Sequence, residues 1–373
     1  MSSASLSSRP PVLILGAGLM GRLLAVSLAQ AGHPLRVVDA GPPDGSHAAA
    51  RVAAAMLAPL AESAVTEPNV VAMGQYALHR WPELLDTLAQ PVFFQQEGTL
   101  ILWHRQNMPE AQRFQSLLAR TGQALPTLPT PQPLHGAQLA EVEPAVAQRF
   151  HQGLYLPDEG QLDNRQLLQA LLATLQDVGV AVEWNTALTL EQAYTEQQRQ
   201  GGWVLDCRGL GAQPDWGQQH NQAQTLRGVR GEVARLHAPD VTLRRPTRLL
   251  HPRYPIYIAP KEDHIFVIGA TEIETNDISP ASVRSVLELL SAAYAVHPGF
   301  GEARILELNT QCRPTLPDNL PAVRESAPQV LHINGLYRHG FMISPAVLDA
   351  VLEWMHHGTT HTAQRLQLRF DLL

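Results

Sequence analysis

The segment from Pro11 to Ala40, PVLILGAGLMGRLLAVSLAQAGHPLRVVDA, leaves this chain few folds to choose from. An apolar run, Val12 to Leu15, reads as a buried strand. Gly16, Gly18 and Gly21 make the turn after it, Leu23 to Ala31 carries a helical pattern, and Leu35 to Val38 reads as a second strand ending at Asp39. A GxGxxG between strand and helix, with an acid about 20 residues on, is the fingerprint of a dinucleotide-binding βαβ unit. Gly16 serves the tight turn, Gly18 lets backbone approach a pyrophosphate, and Gly21 allows close packing of the helix. Unpaired N–H groups and the dipole at the helix start favour the phosphates, and Asp39 is placed to accept from a ribose hydroxyl. Whether the dinucleotide is NAD or FAD stays open at this point.

The rest of the chain must accommodate that unit. Its 373 residues exceed the roughly 250 to 300 at which single cores stop growing, so two domains are expected. A hydrophobic content of 45% with 16% charged residues is that of a globular protein. The net charge of −7, with no basic run longer than Arg244-Arg245, argues against a nucleic-acid partner. Two cysteines, Cys207 and Cys312, build no disulfide framework and fit a reducing cytoplasm. The apolar run after Arg9 is already the first strand, so no targeting segment is read there. No uninterrupted apolar stretch reaches the roughly 18 residues that span a membrane.

Residues 41–63 are turn-forming and then almost all small, which suits either a helix or a backbone that passes close to a flat ring. Residues 70–89 read as an amphipathic helix, and 91–103 as two strands around a Glu97-Gly98 turn. The Pro- and Gln-rich stretch 123–136 reads as an exposed connector. Asp163 or Asn164 caps a helix that runs to about Val178 and stops at Gly179. Residues 191–200 form a polar surface helix, and 201–213 a strand entering a second glycine turn. The second half changes to strands joined by turns, an antiparallel sheet, followed by a helix with Ser279 as cap and Pro280 at its first position. At the end come a strand, a glycine loop, and a helix opened by Ser344 and Pro345. A dinucleotide unit resumed mid-chain and again at the end, with a sheet threaded through it, favours FAD. The fold expected is α/β plus α+β. A discontinuous Rossmann-like FAD-binding domain (9–80, 150–222 and 308–373) carries an inserted antiparallel-sheet substrate domain (81–149 and 223–307).

Five segments in order resemble the D-amino-acid oxidase family of FAD-dependent oxidoreductases, and within it the glycine oxidases of thiazole (thiamine) biosynthesis. They are Gly16 to Asp39, AARVAAAMLAP (49–59), YPIYIAPKEDHIFVIGATE (254–272), CRPTLPDNLPAV (312–323) and GLYRHGFMISPAV (335–347). The resemblance implies non-covalent FAD and oxidation of an amine alpha to a carboxylate, by hydride transfer from Cα to flavin N5. The imine then yields an oxo acid and ammonia, oxygen becomes hydrogen peroxide, and in the thiamine pathway the imine is useful to thiazole synthase. Such chemistry needs orientation above all. Arg313, in RPTLPD, matches the family's carboxylate-clamping arginine, a role that suits a planar guanidinium. Tyr257 matches the pocket tyrosine, alternating with Tyr254, Ile256 and Ile258, and Arg338 matches the arginine beside the flavin loop. By the same resemblance FAD is held by Gly16, Gly18, Leu19, Met20, Gly21 and Asp39 at the fingerprint. Ala54, Ala55 and Met56 lie against the ring, with Gly209 and Arg313 near it. Gly335, Arg338, His339, Gly340, Phe341 and Met342 approach it from the last loop, where the start of the final helix would stabilise an anionic reduced ring. The resemblance also allows a homo-oligomer.

Two departures stand out. The family often has GHxRNG where this chain reads Gly335-Leu336-Tyr337-Arg338-His339-Gly340, which bears on the substrate more than on the cofactor. Arg208 falls where small residues are usual, and a salt bridge or a phosphate contact would each explain it. His356, His357 and His361 are dense enough to suggest a metal, but a helix end commonly carries such residues, and no metal is expected. Cys312 beside Arg313 could attach flavin covalently, yet a small buried thiol is the commoner role. Other readings are an oxidase or dehydrogenase of sarcosine, proline, D-amino acids or another N-substituted glycine, including that of a modified tRNA base. A non-catalytic FAD-binding subunit is a further one, which the candidate clamp argues against.

Overall fold

The computed structural model describes residues 9–216, 225–251 and 256–373. Among them a seven-stranded sheet carries the fingerprint. Its central strand, Val12–Leu15, runs parallel between Leu35–Val38 and Trp203–Asp206. Beyond the latter lie Val330–Asn334, then Ala322–Ala327 antiparallel to it, then Arg369–Asp371. All four residues of Val12–Leu15 are buried, because a central parallel strand is covered on both faces and reads as a continuous apolar run. The Leu19–Gln30, Pro68–Leu85, Asn164–Asp177 and Gly340–His357 helices cover one face, packing Leu23, Leu24, Trp81, Leu171 and Val347 against Ile14, Leu205 and Ile333.

A nine-stranded sheet forms the second layer. Its longest ladder joins Arg227–His237 to Arg304–Thr315, antiparallel, and Ile265–Gly269 and Ile256–Pro260 follow on the other side. Thr247–Leu249 comes next, and Thr99–Leu102 and Gln152–Leu156 extend the sheet further. Residues 152–156 and 304–315 thus run in this sheet, and the strand that passes residue 308 stays with it as far as Thr315. The Val283–Val296 helix packs Leu289, Ala293 and Val296 over Ile258, Ile268 and Phe300.

Three local readings are corrected. Ser279 does not cap the helix: Ser282 does, accepting from Ser285 N at 3.2 Å. The cause is buried Arg230, whose guanidinium donates to the carbonyls of Asp277 (2.8 Å) and Pro280 (3.0 Å) and wraps those residues into a turn. The last helix opens at Gly340, so Ser344 and Pro345 lie inside it. Pro345 has no N–H for the carbonyl of Phe341 four residues back, and Trp81 Nε1 donates to that carbonyl instead, at 2.9 Å. The strands within 91–103 do not form a hairpin. Phe94–Gln95 joins a small three-stranded sheet with Gly160–Leu162 and Met56–Leu57, whereas Thr99–Leu102 enters the large one. The stretch 123–136 ends in an edge strand, Gln132–His135, of which only Leu134 is buried.

Candidate active site

A cavity of about 1150 Å³ lies between the two sheets. At the nucleotide sheet its wall is mostly backbone. A Cβ on Gly21 would come within 1.8 Å of Gly16 O, and one on Gly16 within 2.7 Å of Cys207 O, so these glycines let three chain segments meet. A Cβ on Gly18 would meet nothing within 4 Å, which leaves its backbone open to a ligand. Gly18 caps the Leu19–Gln30 helix with no side-chain bond and no acid in the first turn, so the first N–H groups stay available to an anion. The Asp39 carboxylate is fixed by Ala17 N and Gly41 N, both at 2.6 Å, at the cavity wall. An open cradle, an unfilled helix start and a fixed acid in that order fit the pyrophosphate and ribose of FAD.

Midway, residues 41–63 break into two four-residue helices around an extended piece rather than one long helix. Ala54, Ala55 and Met56 line the cavity, with Ala55 at φ 52°. Lys261, buried, reaches across from the large sheet and donates to Ala54 O (2.9 Å), Leu162 O (2.8 Å) and Gln161 Oε1 (3.0 Å). Burial pulls its ammonium down to about 7. Opposite, the start of the Gly340–His357 helix brings Gly340, Phe341 and Met342 to the wall.

The large sheet supplies side chains. Arg248 is opposite Tyr257, Tyr257 opposite Gly269, and Gly269 opposite Val233, a single row across four strands. Gly231 shares a face with Val233 two residues on. A Cβ on Gly269 would lie 2.6 Å from the Tyr257 hydroxyl, and one on Gly231 2.5 Å from Arg313 Nη2. These two glycines therefore make room for the phenol and the guanidinium that lie over them. Arg313 Nη1 donates to Thr271 O (3.2 Å) and Arg230 O (3.4 Å). Among the described residues no carboxylate comes within 4.0 Å of its nitrogens. Burial raises the Tyr257 hydroxyl above its usual range, so it stays protonated and can donate.

Arg338 also reaches the cavity, but between two acids: Nε lies 3.2 Å from Glu62 and Nη1 3.0 Å from Glu272. Glu62 also meets Arg248 at 3.0 Å. Burial works to raise the Glu62 carboxyl, and the two arginines overcome it, holding it at about 2. Burial pushes neighbouring His339 down to about 4, so it is neutral at pH 7.

Most of the residues expected from the sequence meet at this cavity, from Gly16, Leu19, Met20 and Asp39 through Gly209 to Tyr257, Arg313, Arg338 and His339. Gly21 stands behind the wall. Gly335 faces away, where a Cβ would meet Leu316 and Leu320, and Leu336 and Tyr337 line the cavity instead. Tyr254 lies outside the described residues. Arg208 is salt-bridged to Asp206 and Asp215, each at 2.7 Å. Sequence reasoning missed Glu62, Arg248, Lys261 and Glu272. Glycines at 231 and 269 inside otherwise strand-like runs were a usable signal for large side chains above them.

Comparison with known proteins identifies the family and the fold. Residues 11–354 match the family model described as FAD dependent oxidoreductase. A Rhizobium etli protein named as a thiamine biosynthesis oxidoreductase, ThiO, is 37% identical over 91% of this chain and 94% of its own length. The chain spans about half the length of the bifunctional ThiO/ThiG protein of Trichormus variabilis, at 24% identity over 92% of this chain and 52% of that one. Among solved structures, glycine oxidase from Bacillus cereus superposes with a TM-score of 0.77 at 18% identity, covering 95% of this chain and 98% of that one. The Geobacillus kaustophilus glycine oxidase gives 0.76 at 21%, covering 95% and 96%. These two share the fold. With the family model matched from the first strand into the last long helix, the chain belongs to the FAD dependent oxidoreductases.

Proposed function

We propose that this oxidoreductase is a glycine oxidase of thiamine biosynthesis, binding FAD non-covalently and working in the cytoplasm. The observation that carries the reading is Arg313. It is a guanidinium laid over a glycine at the cavity wall, with no carboxylate partner among the described residues, on the sheet face that also presents Tyr257. Such a cation is ready for a ligand's carboxylate, which it can hold through two parallel N–H bonds. The Tyr257 hydroxyl donates to the same carboxylate and Arg338 closes its outer side, which fixes the Cα–N bond of a small amino acid. When bound, FAD supplies a two-electron acceptor that takes the Cα hydrogen as hydride and passes both electrons to oxygen as hydrogen peroxide. The amine leaves as the imine, which water converts to glyoxylate and ammonia.

The Cys312 thiol donates to the carbonyls of Thr275 (3.4 Å) and Asp277 (3.5 Å), which favours FAD held without a covalent bond to it. The relative named ThiO supports the pathway, and the bifunctional ThiO/ThiG proteins support a hand-off of the imine to thiazole synthase. Among the described residues no helix is long and apolar enough to cross a membrane. The test is anaerobic mixing of the purified holoenzyme with glycine, sarcosine, D-alanine and D-proline, following the flavin absorbance. Bleaching by glycine, reversed by air with peroxide released, is the expected result. A flavin that sarcosine or D-proline bleaches and glycine does not would move the substrate to N-substituted amino acids.

A further inference from the structure

Arg338 is held by one acid from inside and one from outside, and the two differ in what happens when they let go. Glu62 is only 15% exposed, so releasing Arg338 would leave a mostly buried carboxylate with one arginine, Arg248, in place of two. The Glu272 side chain is 51% exposed, and its carboxylate passes into water when it leaves. We propose that Glu272 is a displaceable stand-in for the ligand's carboxylate, occupying Arg338 at the mouth of the cavity until a carboxylate ligand takes its place. The inference rests on reading Arg313 and Arg338 as a carboxylate pocket.

The backbone around Glu272 suits that role. Thr271 is anchored by its N–H to Glu232 O (3.3 Å), by its hydroxyl to the Glu232 carboxylate (3.2 Å), and by its own carbonyl, which accepts from Arg313. One residue later, Glu272 has its backbone anchored on one side by these bonds, while its side chain is half exposed. The same carboxylate neighbours Tyr337, whose hydroxyl is raised above its usual range by burial and by that charge; Tyr337 sits at φ 51° with its ring beneath the Arg338 guanidinium at 5.4 Å. Arg338 and Tyr337 therefore already present a cation and a hydroxyl to a carboxylate, the same pair of groups that Arg313 and Tyr257 present deeper in the cavity. A bound ligand competes with Glu272 for the outer pair only. Displacing a half-exposed ion pair weakens ligand binding by about two- to five-fold.

The experiment titrates the FAD-loaded enzyme with acetate and with glycolate at constant ionic strength, reading the dissociation constant from the flavin absorbance change. Glu272→Gln removes the charge, and Glu272→Asp keeps the charge but draws it back by one methylene from Arg338. Both variants are expected to bind the two probes about two- to five-fold more tightly than the native chain. An unchanged or weaker affinity in Glu272→Gln overturns the proposal. So does tightening in Glu272→Gln without tightening in Glu272→Asp, because a general charge effect would then suffice. Arg313→Met tests the underlying reading separately. If acetate still binds that variant with native affinity, Arg313 is not the carboxylate clamp, whatever the Glu272 variants do. Failure of acetate and glycolate to perturb the flavin of the native chain and of Glu272→Gln overturns both.

Discussion

The two ends of the cavity are built by opposite means. The nucleotide end is backbone: three glycines, the open start of one helix and an acid clamped by two N–H groups, all within residues 16–41. The opposite end is made of charged and phenolic side chains, Glu62, Arg248, Tyr257, Arg313 and Arg338, drawn from segments up to 276 positions apart (338 − 62). At Gly16 and Gly21 this backbone end tolerates no added atom. A site made of long side chains over glycines can shift by an ångström and still fold, which is where substrate preference can change while the cofactor stays.

Gly21→Ala gives the largest effect expected from this contrast. The added methyl would lie 1.8 Å from Gly16 O, a backbone atom that cannot move without opening the turn. The expected result is protein purified without flavin, read from the ratio of visible to ultraviolet absorbance. Retention of stoichiometric flavin would remove the rigid nucleotide end from the comparison. Arg313→Met comes next and acts at the other end alone. Losing two charge-assisted bonds of about 1.5 to 3 kcal/mol each, with some recovered by solvent, lowers kcat/KM for glycine by roughly 10²- to 10³-fold with flavin retained. Loss of flavin in that variant would mean that Arg313 holds the cofactor rather than the substrate.

A third prediction concerns two buried carboxylates that neighbour each other through Ala61, whose N–H donates to Glu159 at 2.6 Å. Glu62 is held at about 2, so its stabilising contribution is present above the unfolded value of 4.5 and is lost as pH falls through 2. Glu159, more deeply buried and without an arginine in contact, is raised by burial to about 7. Its contribution has the opposite sign: complete below 4.5, it is lost as pH rises through 7, by up to about 3 kcal/mol. Glu159→Gln keeps the acceptor for Ala61 and removes the titration. Its Tm should fall less than that of the native chain between pH 5 and pH 8. Parallel profiles would mean that Glu159 is ionised throughout.

Local signals and long-range ones explain what could be read from the sequence. The fingerprint was legible because strand, turn, helix and acid are contiguous, and the same holds for Asp163 as a cap, whose carboxylate accepts from Arg165 N and Gln166 N. Arg313 and Tyr257 were legible through family resemblance, whereas Arg248 and Glu62 meet only because Arg248 pairs in register with Tyr257. The cap expected at Ser279 failed for a similar reason. Serine followed by proline is a sound local signal, but buried Arg230, 49 positions earlier, binds the carbonyls around it. Pro345 likewise reads as a helix start until Trp81 is seen to take the carbonyl that its ring leaves free.

Gly231→Ala separates the two ends most finely. Here too the added methyl would overlap an existing atom, at 2.5 Å, a clash that looks comparable with that at Gly21. The atom it meets, however, is the terminal nitrogen of Arg313, at the end of a side chain with several rotatable bonds. Relief therefore comes from swinging the guanidinium away, at the loss of its bonds to Thr271 O and Arg230 O, both already long at 3.2 and 3.4 Å. The sheet keeps its register, the cofactor keeps its cradle, and the clamp is misplaced by roughly an ångström. A rise in KM for glycine of about tenfold, near 1.4 kcal/mol, is expected with flavin content and Tm close to native. If Gly231→Ala instead lost flavin as Gly21→Ala does, the substrate end would be as rigid as the nucleotide end, and the contrast between them would fail.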